Sequence, residues 1–314
     1  MTMMTDDNIG IDISKHFLDA HRLSDGGTAT FPNAPGGFRA LVAWLGRDVP
    51  ARVVFEATGP YHRSFERAFS GKPPFVKVNP LQARRFAQAC GTRAKTDAVD
   101  ARMLASFGRA LSLEPDQPVD GEQFDLRELF SARGALIKDR TRLINRLKTQ
   151  TLALIKRQTK AQIDQLTRQL QALQHAINEG LRACPARARA NAILRSIPGI
   201  GEVAASTILI EMPEIGTLRK KKAASLTGLA PMTQQSGKWQ GKARIQGGRK
   251  SLRDALYMPA LVATKHNPDM RDKYIAMLKQ GKPKKVALTA IMRKLIELAN
   301  ALVKADRTWT PNPT

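Results

Sequence analysis

Apolar and polar positions alternate along Ile9–Ser14 and again along Phe17–Leu23, which predicts two strands joined as a hairpin. The period then lengthens. Gly36–Leu45 reads as an amphipathic helix, Arg52–Glu56 as a strand, Tyr61–Phe69 as a helix, Phe75–Val78 as a strand, and Pro80–Ala89 as a helix with proline in its first turn. Lys95–Leu104 is also helical in pattern. Alternating strands and helices over roughly the first 110 residues predict an α/β domain with a mixed sheet. No proline falls between Pro118 and Pro185, and Ile163, Leu166, Leu170, Leu173 and Ile177 recur every three or four residues, with Leu136, Leu143 and Leu147 hinting at an earlier repeat. That pattern suits a long helical coiled-coil segment, and equally two ordinary helices of a bundle. Helical patterns at Ala190–Leu194 and Val203–Ile210 then flank Ser196-Ile197-Pro198-Gly199-Ile200-Gly201. The expected organisation is an α/β domain over 1–117, long helices over 118–184, and a mainly α-helical region over 185–314.

Charge changes the picture more than composition does. The chain carries 51 Lys and Arg against 27 Asp and Glu, a formal net charge of +24, so the expected partner is a polyanion. Between residues 215 and 253 there are ten basic residues and no acid: Arg219, Lys220, Lys221, Lys222, Lys238, Lys242, Arg244, Arg249, Lys250 and Arg253. A Gly-rich, acid-free stretch of this kind suits a surface laid on a phosphate backbone better than a solvated face. Gly199 and Gly201 fit a helix-hairpin-helix-like turn whose N–H groups hold phosphate, or a plain turn using glycine for positive φ. No apolar run is long enough to span a bilayer, and the N-terminus lacks the order of a signal peptide, so no membrane is expected and the localisation is read as cytoplasmic. Cys90 and Cys184 have no CxxC spacing and suggest neither disulfide framework nor zinc site.

Candidate chemistry lies in four acids. Asp12 interrupts the apolar run Ile9–Ile13, Glu56 closes the strand Arg52–Glu56, and Asp97 and Asp100 stand three apart on a helix, facing one side. Acids on buried strands are costly without a compensating charge, and Mg²⁺ is the usual one. Taken singly, each acid is a plausible helix cap or salt-bridge partner; jointly they have the layout of a metal-dependent site that cuts nucleic acid.

The blocks Gly10-Ile11-Asp12, Glu56-Ala57-Thr58-Gly59, Lys95-Thr96-Asp97-Ala98-Val99-Asp100-Ala101, Ile197-Pro198-Gly199-Ile200-Gly201, Gly228-Leu229-Ala230-Pro231, Ser236-Gly237 and Leu252–Ala260 follow one another in a specific order. In that order the chain resembles DEDD transposases of the insertion-sequence 110 class, over nearly its whole length. The resemblance implies an N-terminal RuvC-like (RNase H-like) domain, a coiled-coil insertion and a C-terminal transposase domain. It implies recombination of donor and target DNA guided by a noncoding bridge RNA, in a homo-oligomer, a dimer or a dimer of dimers, with acids and serine acting in trans. By motif, Asp12, Glu56, Asp97 and Asp100 match the Mg²⁺-binding tetrad, and Ser236 matches the nucleophile that joins DNA covalently. Ser225 and Ser251 lie in the same basic stretch, and Asp254 stands where many relatives carry a second basic residue. Competing readings are a RuvC-like junction endonuclease using water, an actin-like ATPase whose further phosphate loops are missing, and a non-enzymatic nucleic-acid-binding scaffold.

Overall fold

A computed structural model of the chain describes residues 4–46, 49–57, 59–69, 74–91, 97–116, 120–233, 235–237, 239–241 and 243–311. It divides into two compact units, Met1–Phe124 and Asp125–Thr314. The first unit holds strands β1 (Met4–Ile13), β2 (Phe17–Arg22) and β3 (Thr28–Pro32), helix α1 (Pro35–Leu45), β4 (Val49–Glu56), α2 (His62–Phe69), β5 (Phe75–Val78), α3 (Pro80–Ala89) and α4 (Asp97–Ala110). Its five-stranded sheet has the order β3-β2-β1-β4-β5; β1 to β3 pair antiparallel, while β4 runs parallel to β1 and β5 parallel to β4. The sheet is therefore mixed, as the pattern predicts. Strand β3 was not expected from the pattern. Its signal is Asp25-Gly26-Gly27, where Gly26 has φ +74° and the Asp25 carboxylate accepts from the Gly27 N–H at 2.8 Å, which returns the chain along β2.

Period-two alternation gives the sheet two different faces. Ile9, Ile11, Ile13, Val53 and Phe55 form one core with Phe38 and Leu41 of α1 and Phe65 and Phe69 of α2. On the other face Val54, Val76 and Val78 pack with Leu104 and Phe107 of α4. Gly10 lies on this second face and lets α4 approach closely, because a Cβ there would stand 1.9 Å from the Ala101 carbonyl oxygen and 2.5 Å from the Ala105 nitrogen. Gly108 plays the same part against Val54 and Asn8.

Among its described residues the second unit is helical apart from two short ribbons and the connecting loops. Helices α5 (Gly121–Thr149) and α6 (Ala153–Ala183) run antiparallel: Leu126 packs with Ile177 and Leu181, and at the far end Gln150 Nε2 donates to Thr159 Oγ1 at 2.8 Å. Leu170 and Ile177 are buried and Ile163, Leu166 and Leu173 half-buried. On α5 the equivalent stripe includes Arg133, whose burial and whose neighbour Arg140 lower its pKa from the usual arginine value. These arginines explain why the apolar repeat is thin there. Helices α7 (Pro185–Ser196), α8 (Glu202–Glu211), α9 (Lys220–Leu226), α10 (Lys250–Ala255), α11 (Tyr257–His266), α12 (Pro268–Lys279) and α13 (Lys284–Lys304) share one core, built on Leu194, Ile208, Leu256, Ile291 and Leu295. Between α9 and α10, β6 (Pro231–Met232) pairs with β9 (Arg244–Ile245) and β7 (Gln235–Ser236) with β8 (Trp239–Gln240). No helix among the described residues is long and apolar enough to cross a membrane.

Candidate active site

The acids of the first unit are collected by strand register and by one helix crossing. Gly10 pairs with Val54 and Ile11 with Phe55, so the register carries Asp12 to the level of Glu56 on the neighbouring parallel strand, about 4.8 Å away across the ladder. Asp12 lies two residues beyond Gly10 and Glu56 two beyond Val54, so both side chains leave the sheet on the face that α4 covers. Helix α4 crosses that face in the opposite sense to β1, since Ala101 and Ala105 lie over Gly10 while Gly108 lies over Asn8 and Val54. Its first turn, with Asp97 and Asp100, therefore extends toward the Asp12 end. Asp12, Glu56 and Asp100 are all half-buried. Asp12 and Glu56 thus lie at the carboxyl ends of two parallel strands, the usual edge for ligand sites in sheets of this kind, and the first turn of α4 extends toward that end. The side chain of Asp97 lies outside the described residues, as do Thr58, Lys95 and Thr96. Among the described residues, no three His, Cys, Asp or Glu side chains are grouped closely enough to hold a metal ion.

Against Phe55, on the face of the sheet opposite to that of Glu56, lies a polar group that the sequence pattern did not mark. His62 opens α2 and tilts its ring against Phe55, with centroids 6.4 Å apart. Its Nε2 is 3.6 Å from Glu66 Oε2, and Lys77 of β5 holds the other Glu66 oxygen at 2.8 Å. Burial lowers the His62 pKa below the usual imidazole value, and the Glu66 carboxylate only partly offsets that. The signal was the single histidine six residues beyond Glu56.

In the second unit the sequence-predicted cations fall into two groups. Arg219, Lys221, Lys222 and Arg244 are exposed. Lys250 is exposed and pairs with Asp254. By contrast Arg249 is held by Glu214 at 2.6 Å and donates to the Glu211 carbonyl at 2.6 Å, while Arg253 donates to the Gly247 carbonyl at 2.6 Å. Lys238, Lys242 and Gln234 lie outside the described residues, as does the side chain of Lys220. Gly199 has φ +107°, and a Cβ there would stand 2.6 Å from the Pro259 carbonyl oxygen, so this glycine serves both the turn and close packing on α11. Gly201 caps α8 and faces open space, with Glu202 in the first turn of that helix. Ser236 is exposed, and its backbone pairs with that of Trp239 in the β7–β8 ribbon. Ser225 is exposed on α9, and the Ser251 hydroxyl donates to the Glu211 carboxylate.

Comparison with known proteins bears on the same two regions. Residues 9–156, which include every candidate acid, match the DEDD transposase model of the IS110 class, and residues 191–275, which include Ser236, match the transposase model of the IS116/IS110/IS902 family. The chain belongs to the IS110 family of transposases. It is an enzyme, a DNA recombinase or transposase. The pilin gene-inverting protein of Moraxella bovis is 31% identical over 315 residues, covering 95% of this chain and 96% of that protein, and the protein of the same name from Moraxella lacunata is equally similar. A 43.6 kDa insertion element IS110 protein of Streptomyces coelicolor is 29% identical over 159 residues, half of this chain and 38% of its own length. The transposase thus matches one group of relatives end to end and another over part of their length.

Proposed function

We propose that this transposase cuts and rejoins DNA through an acid tetrad, Asp12, Glu56, Asp97 and Asp100, and a serine, Ser236, that becomes covalently joined to DNA. What supports this reading is the strand register that sets Asp12 level with Glu56 and the sense in which α4 crosses β1, which points its first turn to the same end of the face. Their donor set fits Mg²⁺, since carboxylates are hard oxygen ligands. Bound there, Mg²⁺ would neutralise charge developing on the phosphate oxygens. The serine supplies the nucleophile: its Oγ forms a bond to phosphorus, a bridging P–O bond to the sugar breaks, and the serine proton goes to solvent or a nearby base. Attack by a DNA hydroxyl reverses these bonds and frees the serine. Phosphodiester energy is conserved in the protein–DNA bond, so rejoining needs no external energy source.

The first unit is read as RuvC-like (RNase H-like), the long helices α5 and α6 as a coiled coil, and the site as shared in trans within a homodimer or a dimer of dimers. Guidance by a bridge RNA is part of the same reading; its support is the ordered set of family motifs together with a net charge of +24. The Moraxella relatives are named for inverting a pilin gene. Inversion requires strands to be cut and rejoined without loss of DNA, an outcome a covalent linkage serves. To test the proposal, labelled DNA carrying the element's junction is reacted with the protein and its guide RNA, then resolved by denaturing electrophoresis. The wild-type protein should give a protease-sensitive protein–DNA band; Ser236→Ala and Asp12→Ala should give none while retaining nucleic-acid binding. Recombination by Ser236→Ala at the wild-type rate would move the role to Ser225, Ser251 or water, and the enzyme would then be a nuclease of the resolvase type.

A further inference from the structure

The segment that carries Ser236 is tied at its base. At one foot the Arg249 N–H donates to the Leu226 carbonyl at 2.8 Å, and at the other Arg253 Nη1 donates to the Gly247 carbonyl at 2.6 Å while lying 3.5 Å from that of Thr227. Thr227 is fully buried. Two glycines let the feet touch: a Cβ on Gly228 (φ +67°) would stand 2.1 Å from the Gly247 oxygen and 2.3 Å from Arg253 Nη1, and one on Gly248 (φ +64°) would stand 2.2 Å from the Gly228 nitrogen. Arg249 fastens the second foot to the end of α8 through the Glu211 carbonyl and the Glu214 carboxylate. From this base rise the β6–β9 and β7–β8 ladders, each two residues long, with Ser236 in the outer one beside Gly237 (φ +55°).

From this arrangement we infer that Arg253, with Gly228, Gly247 and Gly248, forms a clasp that sets the aim of Ser236, so that Arg253 is a positioning residue and not a phosphate contact. The inference rests on Ser236 being the nucleophile. Short two-stranded ribbons are marginal by themselves, so the direction of this one is decided where it is held. An arginine reading phosphate keeps its fork turned to solvent; Arg253 is half-buried and directs Nη1 at the backbone of both feet. Aim matters because a misplacement of about 1 Å can cost about 100-fold in rate.

The test uses the full-length protein with its guide RNA and labelled junction DNA, reading the single-turnover rate of adduct formation and the DNA affinity separately. Arg253→Ala should slow the adduct by at least about 30-fold with affinity kept within about twofold, and Arg253→Lys, which retains one reach toward the carbonyls, should recover part of the rate. Should Arg253→Ala fail to fold, a Gly-Ser insertion between Ile245 and Gln246 lengthens one side of the exposed ribbon outside the core, and it should cause the same loss. A wild-type adduct rate in the insertion variant, or an affinity loss in Arg253→Ala that matches its rate loss, overturns the clasp. Ser236→Ala is run alongside: an adduct there overturns the nucleophile assignment instead, so the two failures are distinguishable.

Discussion

Gly10→Ala is the sharpest probe of how the acids are brought together. The added Cβ would meet the Ala101 carbonyl oxygen at 1.9 Å, where Cβ contacts essentially never fall below 3.0 Å, so α4 and β1 must part by about 1 Å. Both opposing atoms are backbone, in the middle of α4, and no side-chain rotation relieves the contact. Overpacking of this kind costs about 1–3 kcal/mol of stability. The consequence for function should be larger, because α4 carries Asp97 and Asp100 and β1 carries Asp12: the same shift moves the two halves of the proposed tetrad apart. A displacement of about 1 Å is enough for about a 100-fold loss of cleavage rate. Single-turnover cleavage of junction DNA, measured well below the thermal midpoint of the variant, separates that loss from unfolding. Gly36→Ala is the matched control, since its Cβ would approach only the end of the Arg39 side chain, at 4.0 Å. Wild-type cleavage by folded Gly10→Ala would refute the argument that close contact between α4 and β1 places the acids.

Mixing Ser236→Ala with Asp12→Ala protein should restore adduct formation if acids and serine act in trans; no recovery over a range of mixing ratios confines the reaction to one protomer. Removing Arg219, Lys221 or Lys222 should each lower the slope of log affinity against log salt by about 0.9, and an unchanged slope moves the phosphate contact elsewhere. Burial holds His21 and His62 below 6.5, so the unfolded chain takes up protons that the folded chain refuses as pH falls through that value. Stability should be full above about pH 6.5 and decline below it, and a double His21→Asn, His62→Gln variant whose midpoint still falls as steeply on acidification would contradict this. Asn300 is buried and bridges the Gly216 N–H and the Leu218 carbonyl, each at 2.9 Å, so Asn300→Ala should cost about 1–3 kcal/mol in chemical denaturation. A smaller loss would mean that the turn leading into α9 finds other partners.

The sequence by itself determined the elements whose chemistry is local. The local pattern marked β1, β2, β4 and β5, proline in its first turn marked the start of α3, and the motif order identified the family. Asp12 and Glu56 were visible because an acid in an apolar strand is costly enough to stand out, and Asp97 and Asp100 because they stand three apart on one helix face. What the chain could not display was anything set by pairing across distance. That Asp12 and Glu56 share a face depends on the Gly10–Val54 register, and the direction in which α4 crosses depends on a glycine meeting a helix backbone some ninety residues further on. In the same way Arg249 and Arg253 look like Arg219 in the sequence, since a basic residue carries no mark of its partner. Only the folded chain brings Glu214 to the first and the Gly247 carbonyl to the second. Local propensity is written residue by residue; the aim of a side chain is a property of two segments, and it exists only once they meet.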